Sequence, residues 1–180
     1  LSDLRCSRHV HEEKARLSLG TLGGGNHFIE IDRDEEGFLY VVIHSGSRHL
    51  GKEVTEYYLR EGHRYLKDKR QNVPYELTYL EGSLMDDYVY DTQVLQEFAR
   101  LNRSVILDEM AKGMKWKIED IYHSVHNYLD VSAEGTILRK GAVSARKGEF
   151  VAIPINMRDG VLLGTGLGND DWNYSAPHGA

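Results

Sequence analysis

The chain has 180 residues, 22 of them Lys or Arg and 28 Asp or Glu, for a formal charge of −6. With 41% hydrophobic and 28% charged residues it can build a core as one domain, and no apolar run reaches the ~20 residues that a membrane helix needs. The acidic balance argues against broad electrostatic coating of nucleic acid, and the lone Cys6 excludes an internal disulfide and a CxxC zinc site, which points to a reducing compartment.

Residues 4–18 are polar, charged and helix-compatible, and they run into a small-residue loop over 17–25. Two strands follow. Residues 27–32 alternate their side chains, 38–43 form a continuous apolar run, and Asp34 to Gly37 between them predict a hairpin. After Ser45, Gly46 and Ser47, apolar residues at Leu50, Val54, Tyr57, Tyr58 and Tyr65 predict a serine-capped helix reaching Lys69. Pro74 marks a break. A longer helix is predicted over 83–114, with Leu84, Tyr88, Leu95, Phe98, Leu101 and Val105 on one face. Beyond Lys115, short β-type segments at 118–122, 136–138, 150–153 and 161–164 are punctuated by glycines. Strands, then two long helices, then strands give no regular βαβ alternation, so the expected class is α+β, with mixed sheets flanked by the helices.

Glycine makes up 18 of the 180 residues while proline supplies 3, an excess that suits close approach of backbone to something else. Gly23, Gly24 and Gly25, leading into Asn26 and His27, read either as a tight turn before a strand or as a loop that a ligand approaches. Glu30 follows on the strand face opposite His27. His44 closes the apolar strand and hands a polar group to the Ser45 to Arg48 loop. The stretch Gly46 to Glu53 has P-loop glycine and lysine spacing, but Glu53 stands where a Ser or Thr must meet Mg²⁺, so the motif fails. His123 and His126 share a face if helical, yet their flanks suit a strand equally well. His9, His11, His49 and His63 lie in charged surroundings and read as surface. Gly164 to Gly168 lacks the third glycine and the βαβ setting of a dinucleotide loop. Arg139-Lys140-Gly141 and Arg146-Lys147-Gly148 read either as a phosphate or RNA-backbone patch or as solvated turns. Finally, His178 sits between Pro177 and Gly179, a presentation suited to a nucleophile that forms a phosphoramidate.

Together, Gly23 to Glu30 (GGGNHFIE), Val42 to Arg48 (VIHSGSR), His126-Asn127, Arg139 to Val143 (RKGAV) and Ser175 to Ala180 (SAPHGA) resemble the RtcB family of RNA-splicing ligases, as does Asp91 to Arg103. The resemblance covers nearly the whole chain. It implies an RtcB-like fold and an enzyme that uses GTP and Mn²⁺ to join RNA 3′-phosphate or 2′,3′-cyclic phosphate ends to 5′-hydroxyl ends. By that resemblance His178 is the catalytic nucleophile that carries GMP, and His27, His44 and His126 are Mn²⁺ ligands. Nucleotide contacts are implied for Asn26, His27, Phe28, Ile29, Glu30, His126, Asn127, Pro154, Ile155, Asn156, Met157, His178, Gly179 and Ala180, with Glu30 accepting from guanine. RNA is the implied partner, tRNA halves or broken ends, together with a helper protein; the implied compartment is the cytoplasm.

The chain departs from the family in three places. The upstream Asp-x-x-Cys that bridges the metals is absent, and Asp3-Leu4-Arg5-Cys6 copies its spacing too close to the glycine loop. The residues that follow His-Gly-Ala are missing, and Pro154 to Met157 replaces the commoner Pro-Gly-Ser-Met. The chain is therefore read as a single-domain fragment, the central to C-terminal part of a diverged bacterial member. The competing readings are a catalytically silent remnant that binds nucleotide or RNA, and a metal-dependent phosphohydrolase.

Overall fold

A computed structural model describes residues 1–132 and 135–179, and within them the class is α+β. In chain order the elements are α1 (Glu12–Leu17), β1 (Phe28–Arg33), β2 (Leu39–His44), α2 (Arg48–Asp68), α3 (Gly82–Met114), β3 (Asn127–Ser132), β4 (Gly135–Lys140), β5 (Ala142–Ser144), β6 (Phe150–Asn156), β7 (Gly160–Thr165) and β8 (Ser175–Pro177). The strands pair as four two-stranded sheets: β1 with β2, β3 with β4, β5 with β8, and β6 with β7. Contacts gather the chain into two compact units, Leu1–Phe28 with Ile43–Lys117 and Ile29–Val42 with Ile118–Ala180. Each unit takes two separate segments, so neither is a continuous stretch of sequence.

The first unit is helical. Along α2, residues 50, 54, 58, 62 and 66 are buried, an unbroken run at four-residue spacing that keeps one helix face inward. Leu50, Val54 and Tyr58 join Leu4, Cys6, Ala15 and Phe98 in the core, where each large side chain contributes roughly 1.5–3 kcal/mol. Gly62 permits close packing, because a methyl there would lie 2.9 Å from Thr78 Cγ2 and 3.4 Å from the Tyr79 carbonyl. Ser47 stands at the expected cap position of α2, but its side chain makes no capping hydrogen bond.

The expected face of α3 is inward at Phe98, with Leu84, Tyr88 and Leu95 packed against the core, but not at Leu101. Leu101 is 46% exposed, and the buried positions are Asp91, Phe98, Asn102 and Ile106. Two of these are polar, so a hydrophobicity pattern passes over them; burial is tolerated because their hydrogen bonds are made. Asp91 accepts from the Arg5 and Cys6 amides at 2.7 and 3.1 Å and from the Tyr58 hydroxyl at 2.7 Å. The helix closes with Lys115 in the left-handed region, φ 58°.

The second unit consists of antiparallel ribbons. β3 pairs with β4 from Asn127 opposite Lys140 to Ser132 opposite Gly135, and β6 pairs with β7 with an irregularity at Pro154 to Asn156. Its buried apolar core is thin: Val143, Ala145 and Val151, with Ala176 against them. The strand expected over 118–122 does not form. Ile118 and Ile121 are exposed, the Ile121 amide is taken by Asp120, and Tyr122 sends its hydroxyl to the Phe150 carbonyl at 2.5 Å. No helix among the described residues is long and apolar enough to cross a membrane.

Candidate active site

In the first unit the chain before the glycine loop and the chain after β2 are tied to one side chain. Asn102 accepts from the Gly20 and Thr21 amides at 2.8 and 3.2 Å and donates to the Thr21 carbonyl at 3.1 Å and the Ser45 hydroxyl at 3.0 Å. Ser45 in turn donates to the Leu22 carbonyl at 2.8 Å, and its own carbonyl accepts from Arg103 at 3.1 Å. These anchors flank His27 and His44. The two rings lie 5.8 Å apart, and Phe28 meets His44 edge to face at 5.2 Å.

The approach that the glycine run anticipates is made by the protein itself. Gly23 has φ +93°, and a methyl there would fall on the Arg48 guanidinium. Arg48 adopts φ 58° and reaches His27 Nδ1 at 3.2 Å and Thr21 Oγ1 at 3.2 Å. A guanidinium only donates, so His27 Nδ1 is the acceptor of this contact. The nearby Glu53 has a structural use: it accepts from the His11 amide at 2.9 Å and pairs with His11 and His49 at 2.7 and 2.9 Å. Burial pushes its carboxyl up, but the His11 hydrogen bonds and the two imidazoles outweigh burial and hold it below the usual range. Cys6 is a core residue, and burial, reinforced by Asp91, pushes its thiol up to about 12.

The second unit gathers the other half of the expected residues around Gly141. Its carbonyl accepts the His178 amide at 3.2 Å and its amide donates to Asn127 Oδ1 at 2.9 Å, while the Ala142 amide donates to the His126 carbonyl at 3.2 Å. The His126 and His178 rings stand 4.5 Å apart. Gly141, at φ +61°, lies alongside the His178 ring, where an added methyl would be 3.5 Å from Cε1. Gly179 does the same for the next strand: at φ +92°, a methyl would fall on the Pro154 carbonyl, so the His178 end of the chain is seated on the segment expected to contact nucleotide.

Other residues of that segment are less direct. Asn156 closes the β6–β7 turn, accepting from the Arg158 and Asp159 amides at 2.9 and 3.0 Å, and Met157 is 94% exposed. Ile29 and Ile155 are half-buried, Asn26 is exposed, and Ala180 lies outside the described residues. Glu30 and Asp32 sit two apart on β1, each with a buried carboxylate oxygen that no hydrogen bond within the described residues satisfies. Burial first, and then the charge of Asp32, push the Glu30 carboxyl up.

The basic-patch alternative for Arg139 is corrected: its side chain is fully buried. It donates to Asp130 at 2.9 Å, to the Tyr128 hydroxyl at 3.2 Å, to the Asn173 carbonyl at 3.0 Å and to Ser175 Oγ. The sequence also gave no role to Gly141 beside His178; its place in the Arg139-Lys140-Gly141 motif was the available signal. The glycines at 166 and 168 pack on the backbone of Ala145 to Lys147, which accounts for the near-miss dinucleotide loop without a ligand.

The expected metal ligands thus appear as two imidazoles in one unit and one in the other, and among the described residues no group of three or more His, Cys, Asp and Glu gathers as a metal site. Imidazole suits Mn²⁺ in kind, but the number of donors gathered among the described residues falls short.

Two pairs of histidine rings are thus brought together, His27 with His44 in the first unit and His126 with His178 in the second. The family described as tRNA-splicing ligase RtcB matches residues 2–180, and the chain belongs to that family. It is 34% identical over 181 residues to RNA-splicing ligase RtcB1 of Escherichia coli strain ATCC 25922 and equally to RNA-splicing ligase RtcB of strain K12, in each case across 90% of this chain and 44% of the relative. It is 29% identical to tRNA-splicing ligase RtcB of Pyrobaculum aerophilum, across 93% of this chain and 43% of the relative. The chain therefore spans less than half the length of these relatives.

Proposed function

We propose that this chain is the nucleotide-transfer part of an RNA ligase that joins RNA 3′-phosphate ends to 5′-hydroxyl ends through a histidine–GMP adduct. The observation that carries the reading is the setting of His178: half-buried, beside His126, alongside Gly141, and followed by a glycine seated on Pro154. In the proposed first step an imidazole nitrogen of His178 attacks the α-phosphorus of GTP. A P–N bond forms, the bond to the bridging oxygen breaks, and pyrophosphate leaves with the electron pair. An oxygen of the RNA 3′-phosphate then displaces the imidazole, leaving GMP on the RNA end. The 5′-hydroxyl attacks the RNA phosphorus, loses its proton and expels GMP. A 2′,3′-cyclic phosphate must first be opened by water to enter this sequence. Splitting one difficult displacement into such steps is the gain from covalent catalysis.

Asn127 is held beside the His178 loop by Gly141 and is a fitting phosphate contact. Glu30, with an oxygen that needs a donor, suits the N–H groups of guanine. Mn²⁺ would take His27, His44 and His126 as donors and requires more than the described residues assemble, so the chain by itself should bind Mn²⁺ weakly; tight two-site binding in calorimetry would contradict this. The shortfall of donors favours one other reading, a remnant that binds GTP or RNA without reacting.

The test is a ligation assay with a 3′-phosphorylated and a 5′-hydroxyl RNA, GTP and Mn²⁺, using the protein that contains this chain. Joined RNA that disappears on His178→Ala supports the ligase reading. Nucleotide binding with no joined product supports the remnant, and phosphate release without joining supports a phosphohydrolase.

A further inference from the structure

Two consecutive non-glycine residues, Asn173 and Tyr174, occupy the left-handed region at φ 49° and 52° immediately before β8. Such a pair persists only where its surroundings over-determine it. The backbone supplies part of this, with the Asn173 and Tyr174 amides donating to the Asp170 and Asn169 carbonyls at 2.9 Å and the Ala145 amide donating to the Tyr174 carbonyl at 2.7 Å, and one side chain from another strand supplies the rest. Arg139, opposite Tyr128 in the β3–β4 register, donates to the Asn173 carbonyl at 3.0 Å and to Ser175 Oγ, bracketing the left-handed pair from both ends. Ser175 Oγ also donates to the Asn173 carbonyl at 3.0 Å. The guanidinium is fixed in turn by Asp130 at 2.9 Å and by the Tyr128 hydroxyl at 3.2 Å, and Arg146 holds the same Asp130 oxygen at 2.9 Å.

β8 is three residues long, pairs with β5 from Ser175 opposite Ser144 to Pro177 opposite Ala142, and delivers His178 to the Gly141 carbonyl. So short a ribbon has little register of its own. Its entry angle is set at Asn173 to Ser175, where Arg139 adds to the backbone bonds a side chain that grips both ends of the turn.

We propose that Arg139 is a positioning residue for His178: a buried guanidinium that touches no substrate but fixes the turn from which the nucleophile-bearing strand is launched. The inference rests on the reading of His178 as nucleophile for its catalytic meaning, and on geometry alone for its structural content. It separates Arg139 from its neighbour Lys140, which is exposed and free of this network.

The test uses ¹⁵N-histidine-labelled protein, with the His178 ring resonances identified by their loss in His178→Ala. Ser175→Ala removes one of the two brackets with little risk to folding, and Arg139→Lys keeps the charge but loses the fork. In both, the ring resonances of His178 should shift or broaden while those of His27 and His44 stay in place. The GMP-adduct rate should fall by about 10- to 100-fold in Arg139→Lys, as expected for a nucleophile displaced by about an ångström, with the KM for GTP nearly unchanged. His178 resonances unmoved in Ser175→Ala would overturn the proposal, whatever the activity. If the resonances move but even the unmodified protein forms no adduct, the positioning role stands and the ligase reading is what fails.

Discussion

The two units hold their histidines with different materials. The first builds an apolar core around α2 and α3 and hangs the His27 and His44 segments from Asn102, a buried polar group whose hydrogen bonds run only to backbone and one serine. The second buries, among the described residues, the apolar side chains of Val143, Ala145 and Val151, and relies on a charged network, Arg139 with Asp130 and Arg146, to hold the strand that leads into His178. In the first unit fold stability and histidine placement are nearly separable. In the second the same bonds do both.

Glycine substitutions give the sharpest contrast. Gly179→Ala sets a methyl against the Pro154 carbonyl at a positive φ, and backbone cannot step aside, so adduct formation should drop by about 100-fold or more. A variant with near-normal labelling would break the claim that this contact seats His178. Asp91→Ala should be next: it strands two amides and the Tyr58 hydroxyl in the core, at a cost of about 3 kcal/mol or more and a melting-temperature loss of roughly 6–12 °C by calorimetry. A loss under about 2 °C would mean that water or another group replaces the carboxylate.

Gly23→Ala should be milder than Gly179→Ala despite its equal crowding. The added methyl meets a movable guanidinium, leaving about 1–2 kcal/mol of left-handed strain and an Arg48 displaced from His27. Urea unfolding and the His27 ring resonances check both parts.

The smallest expected effect concerns acid. Burial pushes the Asp130 carboxyl up, but Arg146 and Arg139 more than offset it, so its folded pKa lies below the ordinary value. Its contribution is then complete above about pH 4, the unfolded pKa, and drains away as pH falls toward the folded one. Asp130→Asn should be less stable than the parent at neutral pH, with the gap closing in acid. Melts recorded from about pH 7 to pH 3 in which the gap stays constant would contradict the charged network as the second unit's support.

The hairpin at 28–44, the two long helices and the ribbons of the last third were legible because periodicity and glycine punctuation report burial directly. The two polar positions on the inward side of α3 were not, since Asp91 and Asn102 are buried by virtue of partners 33–86 residues away that no local window contains. Arg139 was misleading because next to Lys140 it reads as a basic surface, whereas Tyr128, Asp130, Asn173 and Ser175 together satisfy its buried guanidinium. That His126 and His178 come together was not readable from their spacing, and only the family motifs gave them a shared use. Sequence could not show that Gly23, the first glycine of the run, accommodates Arg48.

The central claim is that His178 is the nucleophile, and mapping the adduct tests it most directly. Incubation with GTP labelled at the α-phosphorus, followed by proteolysis, should place the label on the peptide containing His178, with the acid lability and alkali stability of a phosphoramidate. Label found on another residue, or retained at full level in His178→Ala, would contradict the account.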